Sequence, residues 1–574
     1  MNAPAIVPGL ISKLEAVCAS VRFRDIDRLA AAHDASHYLL TPQAVVAPKD
    51  AAEVAALFGV SRSCGVPLTF RSGGTSLSGQ AGSSGVIVNT RRNFRTIRVL
   101  DDGDRVRSGP GATVRHVNAR LSRHQRKLGP DPASEIACTI GGVVANNSSG
   151  MACGIASNAY KTLESLVFVL PSGTIIDTAD ARADETLRLQ EPELYVGLER
   201  LRDRILGDRP AVDAIRRLYS MKNTMGYGLN SFLDFTRPID IFAHLIIGSE
   251  GTLAFVSEAT FVTVPIKKFV ATGLLIFPDL AGATQTLPAL VDAGCATVEL
   301  MDATSLRVIQ RDSEATDELR TLAVSDHAAL LIEFHEDTAD ELDQRVREAQ
   351  ELLAAAPLTE PVQMTSDAQT RSQLWHLRKG LFTAVAGNRP AGTTALLEDI
   401  AVPPHRLNAT CAELTRLFEA HGYEESVIFG HAKDGNIHFM INERFDRPEL
   451  LDRYAAFTED MVALVLAQGG TLKAEHGTGR IMAPFVRRQF GDTLYRVMQE
   501  IKHLADPSGL LNPGVLLSED AQAHLGHLKT SPSVEPEVDR CVECGYCEPV
   551  CPSKDLTMTP PRADRGPPRD CPST

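Results

Sequence analysis

Between residues 36 and 265 the chain alternates short runs of β-branched and apolar residues with the patterns of amphipathic helices. Residues 45–74 predict a strand, then a helix, then a second strand that runs into a glycine-rich turn. Apolar residues at Val54, Leu57 and Phe58 form the stripe that this helix would bury. We therefore expect one domain over residues 36–265.

From about residue 266 the pattern changes. Two units of strand, turn and long helix follow, about sixty residues apart, which is typical of a compact α+β domain with an antiparallel sheet. We predict a substrate or cap domain over 266–480. The other predicted segments are an N-terminal helical segment over 1–35, a C-terminal segment over 481–520, a polar linker over 521–540, a cysteine motif over 541–560 and a disordered tail over 561–574.

Composition narrows the class of protein. The formal net charge of −14 over 574 residues, with no basic block, argues against a nucleic-acid partner. The N-terminus lacks the pattern of a signal peptide, and no stretch reaches the roughly 18–20 apolar residues of a transmembrane segment. Six of the 11 cysteines are scattered, as reduced thiols of a cytosolic protein are. We expect a cytoplasmic protein, and a peripheral position at the inner face of a membrane stays open.

Four of the remaining cysteines have close and regular spacing. Cys541, Cys544, Cys547 and Cys551 follow the C-x2-C-x2-C-x3-C-P spacing of bacterial ferredoxins, which binds iron–sulfur clusters through thiolates. Zinc sites rarely show three such close steps, so the run predicts a 4Fe-4S cluster.

The cysteine run is incomplete by the ferredoxin pattern. In two-cluster ferredoxins the fourth cysteine binds the other cluster, yet no second run follows Cys551, and Cys571 stands alone. We hypothesise that the module is truncated or frameshifted after about Thr559. The alternative is that a single cluster forms on this chain, with Cys551 folding back to serve as its fourth ligand.

A glycine- and hydroxyl-rich loop at 71–76 follows a predicted strand, where backbone N–H groups can approach a phosphate. It is neither a Walker loop nor a good Rossmann fingerprint. Three later segments, at 129–154, 222–229 and 246–255, follow it in order. Together the four resemble the FAD-binding domain of the vanillyl-alcohol-oxidase/PCMH flavoprotein superfamily. The similarity covers about 20–520 and points to the branch of D-lactate dehydrogenases, glycolate oxidase subunits and D-2-hydroxyglutarate dehydrogenases.

The resemblance implies an α+β fold, in which a PCMH-type FAD-binding domain is joined to a ferredoxin-like cap domain. The loop contains no histidine for a covalent bond, so we expect non-covalent FAD. By the resemblance, the cofactor-binding residues are Arg71, Ser72, Gly73, Gly74, Thr75, Ser76, Gly79, Gln80, Pro132, Ala133, Ser134, Thr139, Gly142, Asn146, Ser149, Gly150, Glu250, Gly251, Leu253 and Asn512.

The stretch "IFGHAKDGNIHF" suggests a metal site. If the Asp-Gly pair at 434–435 forms a two-residue hairpin turn, His431 lies directly across from His438. Facing Cβ atoms are then about 4.5–5.5 Å apart, which lets two imidazoles share one metal. Glu475 and His476 offer further ligands in a glycine-flanked loop. These ligands suit Zn²⁺, and Mn²⁺ or Fe²⁺ stay open.

The resemblance assigns roles to these residues. It implies that His431, His438 and Glu475 bind a divalent metal, that His476 is the catalytic base and that Arg378 binds the substrate carboxylate. Adjacent residues of a regular strand point to opposite faces. The roles of Glu475 and His476 therefore require an irregular backbone at these two residues.

The implied activity is that of an FAD-dependent D-2-hydroxy-acid dehydrogenase, which transfers hydride to flavin N5. The implied electron acceptor is a quinone, a cytochrome or a separate iron–sulfur protein, and a homodimer stays open. Leu397 stands near the place of a lysine in the D-2-hydroxyglutarate enzymes, and Met440 stands where they tend to carry asparagine. Both differences favour D-lactate, with D-2-hydroxyglutarate as the alternative.

Two alternatives come from other classes. One is a non-redox flavin transferase that resembles alkyl-glycerone-phosphate synthases, which the cysteine run argues against. The other is an FAD-binding electron-transfer subunit without its own substrate. The histidine and glutamate set argues against the second.

Overall fold

The computed structural model describes residues 5–547. Cys551, the rest of the predicted cysteine motif beyond residue 547 and the predicted tail over 561–574 lie outside the described residues. Within 5–547, no helix combines the length and the apolar character needed to cross a membrane.

The N-terminal half contains three sheets, with strand orders β1-β2-β4-β3, β5-β6-β10-β8-β9 and β11-β7. Its strands are β1 (Val21–Arg22), β2 (Ala44–Val46), β3 (Leu68–Arg71), β4 (Val86–Asn89), β5 (Ile97–Leu100), β6 (Arg105–Ser108), β7 (Arg126–Lys127), β8 (Leu163–Val169), β9 (Ile175–Asp177), β10 (Phe255–Val262) and β11 (Val264–Pro265). Its helices are α1 (Leu10–Val17), α2 (Asp25–Ala30), α3 (Ala51–Cys64), α4 (Val114–Leu121), α5 (Ile140–Asn146), α6 (Ala159–Thr162), α7 (Ala183–Gln190), α8 (Pro192–Leu206), α9 (Arg209–Leu218), α10 (Ser231–Asp234) and α11 (Pro238–Ile246).

Helix α3 and strand β3 deliver the glycine-rich loop to its place. Asp50 caps the helix by accepting a hydrogen bond from the N–H of Glu53 at 2.9 Å, and Gly65 ends it with a φ of 63°. The three apolar residues predicted to form its stripe are at most 2% exposed. Strands β2 and β3 both run parallel to β4, so the loop after β3 leaves a buried sheet at a defined edge.

The C-terminal half is built on a six-stranded sheet of order β12-β14-β13-β16-β17-β15, in which every neighbouring pair is antiparallel. This confirms the predicted α+β class. Its strands are β12 (Phe269–Phe277), β13 (Thr297–Met301), β14 (Ala328–Glu336), β15 (Thr394–Ala401), β16 (Val427–His431) and β17 (Asn436–Glu443). Its helices are α12 (Leu280–Asp292), α13 (Ala303–Ile309), α14 (Asp317–Thr321), α15 (Ala339–Ala354), α16 (Ala368–Gly387), α17 (Leu407–Ala420), α18 (Pro448–Ala467), α19 (Val486–Ala505) and α20 (Pro536–Asp539).

Helix α16 is fixed to this sheet by polar contacts. Glu333 of β14 accepts hydrogen bonds from Trp375 Nε1 at 2.7 Å and from Arg371 Nη2 at 3.2 Å. Arg378 follows on the same face of the helix, at the spacing of neighbouring turns. The buried carboxylate therefore holds the helix that carries the predicted substrate-binding arginine.

We expect Glu333→Gln to lower the melting temperature at pH 7. Burial raises the pKa of Glu333, but hydrogen bonds from His335, Thr272 and Trp375 outweigh burial and lower it from 4.5 to about 2. Because the folded pKa lies below the unfolded value, this stabilisation is complete above about pH 4.5 and is lost as the pH falls toward 2. It amounts to at most about 3 kcal/mol.

Thermal unfolding at several pH values checks this prediction. The difference in melting temperature between the variant and the wild type should shrink as the pH falls from 7 toward 3. A difference that stays constant with pH would contradict it.

Candidate active site

A cleft of about 820 Å³ lies between the end of β3, helix α5 and the start of β10. We call it the flavin cleft. All six residues of the loop at 71–76 line it. Of the predicted cofactor-binding residues, those on its wall are Arg71, Ser72, Gly73, Gly74, Thr75, Ser76, Gln80, Thr139, Gly142, Asn146, Glu250 and Gly251.

The other predicted cofactor residues lie away from the wall. Gly79 packs against the ring of Tyr38, where an added Cβ would come within 2.4 Å of it. Asn512 donates hydrogen bonds to the carbonyls of Gln80 and Glu250, at 2.8 and 2.9 Å, and so joins two sides of the flavin cleft. The residues that do not line it also include Pro132, Ala133, Ser134, Ser149, Gly150 and the fully buried Leu253.

The flavin cleft has the chemistry to hold FAD. The hydroxyl of Thr139 is buried there and has no hydrogen-bond partner among the described residues, so it is available to a ligand. Gly74 adopts a φ of 71°, which bends the loop around the cleft. An apolar wall suited to a flat ring system was not identified from the sequence, and it is formed by Phe70, Val144, Ile246, Ala254 and Phe255.

We expect Gly142→Phe to abolish FAD binding while the chain still folds. A Cβ at Gly142 would meet only the Thr139 hydroxyl, at 3.9 Å, so a larger side chain there enters the cleft rather than the protein. Gly59→Phe is the matched control, because Gly59 is also helical and an added Cβ there meets nothing within 4 Å. Flavin absorbance of the purified proteins measures how much FAD is bound, and circular dichroism measures whether each variant folds. A Gly142→Phe protein that keeps a full complement of FAD would contradict the placement.

The predicted pairing of the two hairpin histidines is wrong, although their rings do meet. His438 pairs with Phe429, and His431 pairs instead with Glu299 of the neighbouring strand β13. The connection is longer than two residues: a 3-10 turn spans 432–434, and Gly430 has a φ of 152°. His431 is therefore a diagonal neighbour of His438, with ring centres 5.1 Å apart.

Three side-chain atoms converge at this point. His431 Nε2 lies 3.1 Å from Glu475 Oε1, His438 Nε2 lies 3.4 Å from His431 Nε2, and His438 Nε2 lies 3.5 Å from Glu475 Oε1. Ligands at about 2.0–2.1 Å from a tetrahedral metal are about 3.3 Å apart, so the set fits one divalent ion without rearrangement. All three residues are buried.

Charges around this set favour a cation. His431 Nδ1 lies 2.8 Å from Glu299, and burial, which lowers its pKa, is outweighed by that carboxylate, so the pKa rises to about 9. Burial lowers the pKa of His438 to about 4, so its Nε2 keeps a lone pair at neutral pH. Glu475 also contacts Lys222 at 3.3 Å and the Ser149 hydroxyl at 2.7 Å. The centre thus places positive charge between two buried carboxylates, a position that a metal ion can take.

The loop that carries Glu475 and His476 connects the two sites. Its backbone has no regular strand, as predicted. The carbonyl of His476 accepts hydrogen bonds from Gln80 Nε2 at 2.9 Å and from Asn146 Nδ2 at 3.2 Å, and both amides line the flavin cleft. His476 Nε2 lies 3.9 Å from Glu475 Oε1. The structure thus brings the predicted base between the flavin cleft and the predicted metal ligands.

Arg378 joins the same centre through Glu299. It is 3% exposed, and its Nη2 lies 2.6 Å from Glu299 Oε2. Its Nε and Nη2 make no well-directed hydrogen bond to any described residue. The guanidinium therefore pairs with Glu299 through Nη2, while its Nε donor has no partner among the described residues and suits the binding of an anion.

A second cleft, of about 520 Å³, begins beside Leu397 of β15. Leu397 and Asp399 are two residues apart in one strand, so they share a face and lie about 7 Å apart. Residues 541–543 form another wall, where Lys529 pairs with the carboxylate of Glu543. Arg389 also lines this cleft.

The described part of the cysteine run packs against the flavin cleft. Cys541, Cys544 and Cys547 are partly exposed. Between them, a Cβ added at Gly545 would lie 3.9 Å from the carbonyl of Gly73. The fourth predicted ligand is outside the described residues.

The sequence pattern alone did not single out Glu299 or Asp399. Each is fully buried in a strand whose other residues are mostly apolar, "TVELM" and "TALLEDIA". A charged residue is almost never fully buried without a partner, so an acid within such a strand is the sequence signal that points to it.

Comparison with known families agrees with both halves of the structure. The family described as "FAD binding domain" matches residues 42–179, and "FAD linked oxidases, C-terminal domain" matches residues 266–516. Solved structures show the same fold: an alkyldihydroxyacetonephosphate synthase with a TM-score of 0.61, and a p-cresol methylhydroxylase with a TM-score of 0.63. They are 14% and 13% identical, and they cover 89% of this chain and 86% and 98% of their own chains.

Curated relatives are more similar in sequence. A D-2-hydroxyglutarate dehydrogenase of Pantoea ananatis is 27% identical, over 98% of this chain and 59% of the relative. That of Escherichia coli is 26% identical, over 85% of this chain and 49% of the relative, so the chain spans about half the length of these relatives. A D-lactate dehydrogenase of Archaeoglobus fulgidus is 25% identical, over 86% of this chain and 94% of the relative. The chain therefore contains an FAD binding domain over residues 42–179, followed over residues 266–516 by the C-terminal domain of the FAD linked oxidases.

Proposed function

We propose that the chain is a dehydrogenase that oxidises a D-2-hydroxy acid to the 2-oxo acid, with D-lactate as the favoured substrate. One observation carries the proposal. His476 is bonded through its carbonyl to amides of the flavin cleft, while its ring lies beside the cluster of His431, His438 and Glu475. A proton acceptor, a metal-binding set and a flavin cleft thus meet at one loop.

Each residue then has a task. The flavin cleft would hold FAD non-covalently, and FAD would supply the hydride acceptor. His431, His438 and Glu475 would hold a divalent metal, Zn²⁺ or Mn²⁺, which would make the substrate hydroxyl more acidic. His476 Nδ1 faces Asp399 at 3.8 Å, which leaves Nε2 to accept the hydroxyl proton. Arg378 orients the substrate carboxylate through its Nε donor, which has no partner among the described residues.

The surroundings of Leu397 support a short substrate. Leu397 and Met440 are paired across β15 and β17, and both are buried in an apolar cluster that includes Phe429.

D-2-hydroxyglutarate is the second candidate. The second cleft carries two cationic side chains, Arg389 and Lys529, beyond the apolar cluster, and relatives of the chain are named for this substrate. Leu397 lines the second cleft as well, so these cations lie on the side of β15 that Leu397 faces.

Anaerobic visible spectra of the purified protein test the proposal. We expect the flavin bands to bleach with D-lactate and not with L-lactate, and D-2-hydroxyglutarate is added in parallel to rank the two acids. Faster bleaching with D-2-hydroxyglutarate would make that acid, rather than D-lactate, the favoured substrate. A bound flavin that no 2-hydroxy acid reduces would reject the dehydrogenase and favour a flavin transferase or an electron carrier.

We also propose that Cys541, Cys544, Cys547 and Cys551 would hold a 4Fe-4S cluster, which would pass electrons to a quinone, a cytochrome or a separate iron–sulfur protein. The position of Gly545 beside Gly73 supports this route. Iron and acid-labile sulfide assays, together with a broad absorbance that bleaches with the flavin, are the expected evidence. A preparation with full flavin reduction and no iron would reject the cluster.

A further inference from the structure

Asp399 is the fully buried acid at the centre of the loop that carries Glu475 and His476. Its Oδ2 accepts three consecutive backbone N–H groups, from Ala474 at 3.1 Å, Glu475 at 2.7 Å and His476 at 2.8 Å. Its Oδ1 accepts a hydrogen bond from Asn436 Nδ2 at 2.8 Å. One carboxylate therefore holds the backbone of both predicted functional residues.

The same carboxylate faces two imidazoles. His438 Nδ1 lies 3.3 Å from Oδ1, and His476 Nδ1 lies 3.8 Å from Oδ2. The two rings are stacked, with centres 4.9 Å apart. Neither Nδ1 makes a well-directed hydrogen bond to any described residue. Asp399 is thus the group that can orient both rings with Nε2 directed away from it.

This arrangement removes a geometric conflict. Consecutive side chains of a strand point to opposite faces, so Glu475 and His476 could not both face the centre from a regular strand. The N–H groups of Glu475 and His476 instead need an anion to hold the loop in its irregular shape, because buried donors without a partner destabilise the fold. The Ala474 N–H also donates to the backbone carbonyl of Asp399, at 3.1 Å. The anion comes from β15, 75 to 77 residues earlier in the chain.

We propose that Asp399 is a positioning residue, which holds Glu475 as a metal ligand and His476 as the base without touching substrate. The inference rests on the proposed function for the roles of those two residues. It adds that the metal-binding set forms only when the carboxylate of β15 is in place.

The test uses the full chain with FAD bound, and Zn²⁺ or Mn²⁺ in competition with a chelator as the probe. Asp399→Asn keeps the side-chain volume, but a carboxamide cannot accept hydrogen bonds on both sides. We expect the metal affinity to fall by about 10–100-fold, as for other partners of metal ligands. We also expect flavin reduction to slow by about 100-fold, as for displaced catalytic groups, with a smaller change in KM and no loss of FAD.

Glu398→Gln is the matched control. Glu398 is the neighbouring buried acid of β15, and it pairs with Lys473 at 2.7 Å on the other face of the strand. We expect the metal affinity of the Glu398→Gln protein to match that of the wild type. Equal losses of metal affinity in the two variants would show a general effect of buried charge and would overturn the inference. An Asp399→Asn protein with the metal affinity and the rate of flavin reduction of the wild type would overturn it as well.

A second variant keeps the test decisive if Asp399→Asn does not retain FAD. Asn436→Ala leaves the carboxylate but removes its partner on Oδ1, and the inference then requires a metal affinity below that of the wild type. A wild-type protein that reduces its flavin without metal would reject the metal part of the proposed function. The rate of flavin reduction in the Asp399 variant would still decide whether this acid positions His476.

Discussion

Replacing His476 by alanine is expected to slow the reduction of bound flavin by a D-2-hydroxy acid by about 10²–10⁴-fold, the contribution of a positioned general base. FAD should remain bound, because His476 contacts the flavin cleft through its backbone carbonyl, which alanine keeps. Anaerobic stopped-flow measurement of the flavin absorbance gives the rate, and the spectrum before mixing gives the FAD content.

His421→Ala is the matched control for this variant. His421 lies at the end of α17, 2.9 Å from Asp460 and away from the metal-binding set, so its loss should leave the rate of flavin reduction unchanged. A His476→Ala protein as fast as the wild type would remove His476 from the mechanism. A variant that has lost its FAD would point to a structural role instead.

Replacing His438 by alanine should remove the bound metal and, with it, flavin reduction. Partners of metal ligands already change affinity by about 10–100-fold, and a direct ligand should exceed that range. His438 supplies one of the three atoms, within 3.5 Å of one another, that can hold the ion. The measurements are the metal content after dialysis against a chelator and the rate with the favoured acid.

The His421→Ala protein again serves as the control, and it should keep its metal. If the His438→Ala protein retains one equivalent of metal, the metal binds at another site. Loss of the metal with an unchanged rate of flavin reduction would instead show that the metal takes no part in the reaction.

Some of the structure follows from local pattern. Helix α3 lies where its apolar stripe predicts it, and the units β12–α12 and β14–α15 match the predicted strands and long helices. Such elements are predictable because the periodicity of buried side chains repeats within a few residues. The glycine-rich loop at 71–76 is also recognisable locally, from its residue types, and all of it lines the flavin cleft.

The histidine hairpin shows where local rules end. An Asp-Gly pair favours a two-residue turn, yet this chain makes a longer connection, and His438 faces Phe429. The reason lies outside the hairpin: β13 also pairs with β16 and places Glu299 opposite His431. Register in a central strand depends on both neighbours, and the second neighbour is 132 residues away in the sequence.

By itself, the sequence determined which chemistry is present: a phosphate-binding type of loop, two histidines in one short stretch, a Glu-His pair and a regular run of cysteines. The tertiary structure decided which of these groups meet. Asp399 and Glu299 reach the centre from separate strands, and Gln80 and Asn146 reach the same loop from the flavin cleft. These contacts join residues far apart in the chain, and their geometry depends on the packing of whole sheets and helices, which no short-range pattern records.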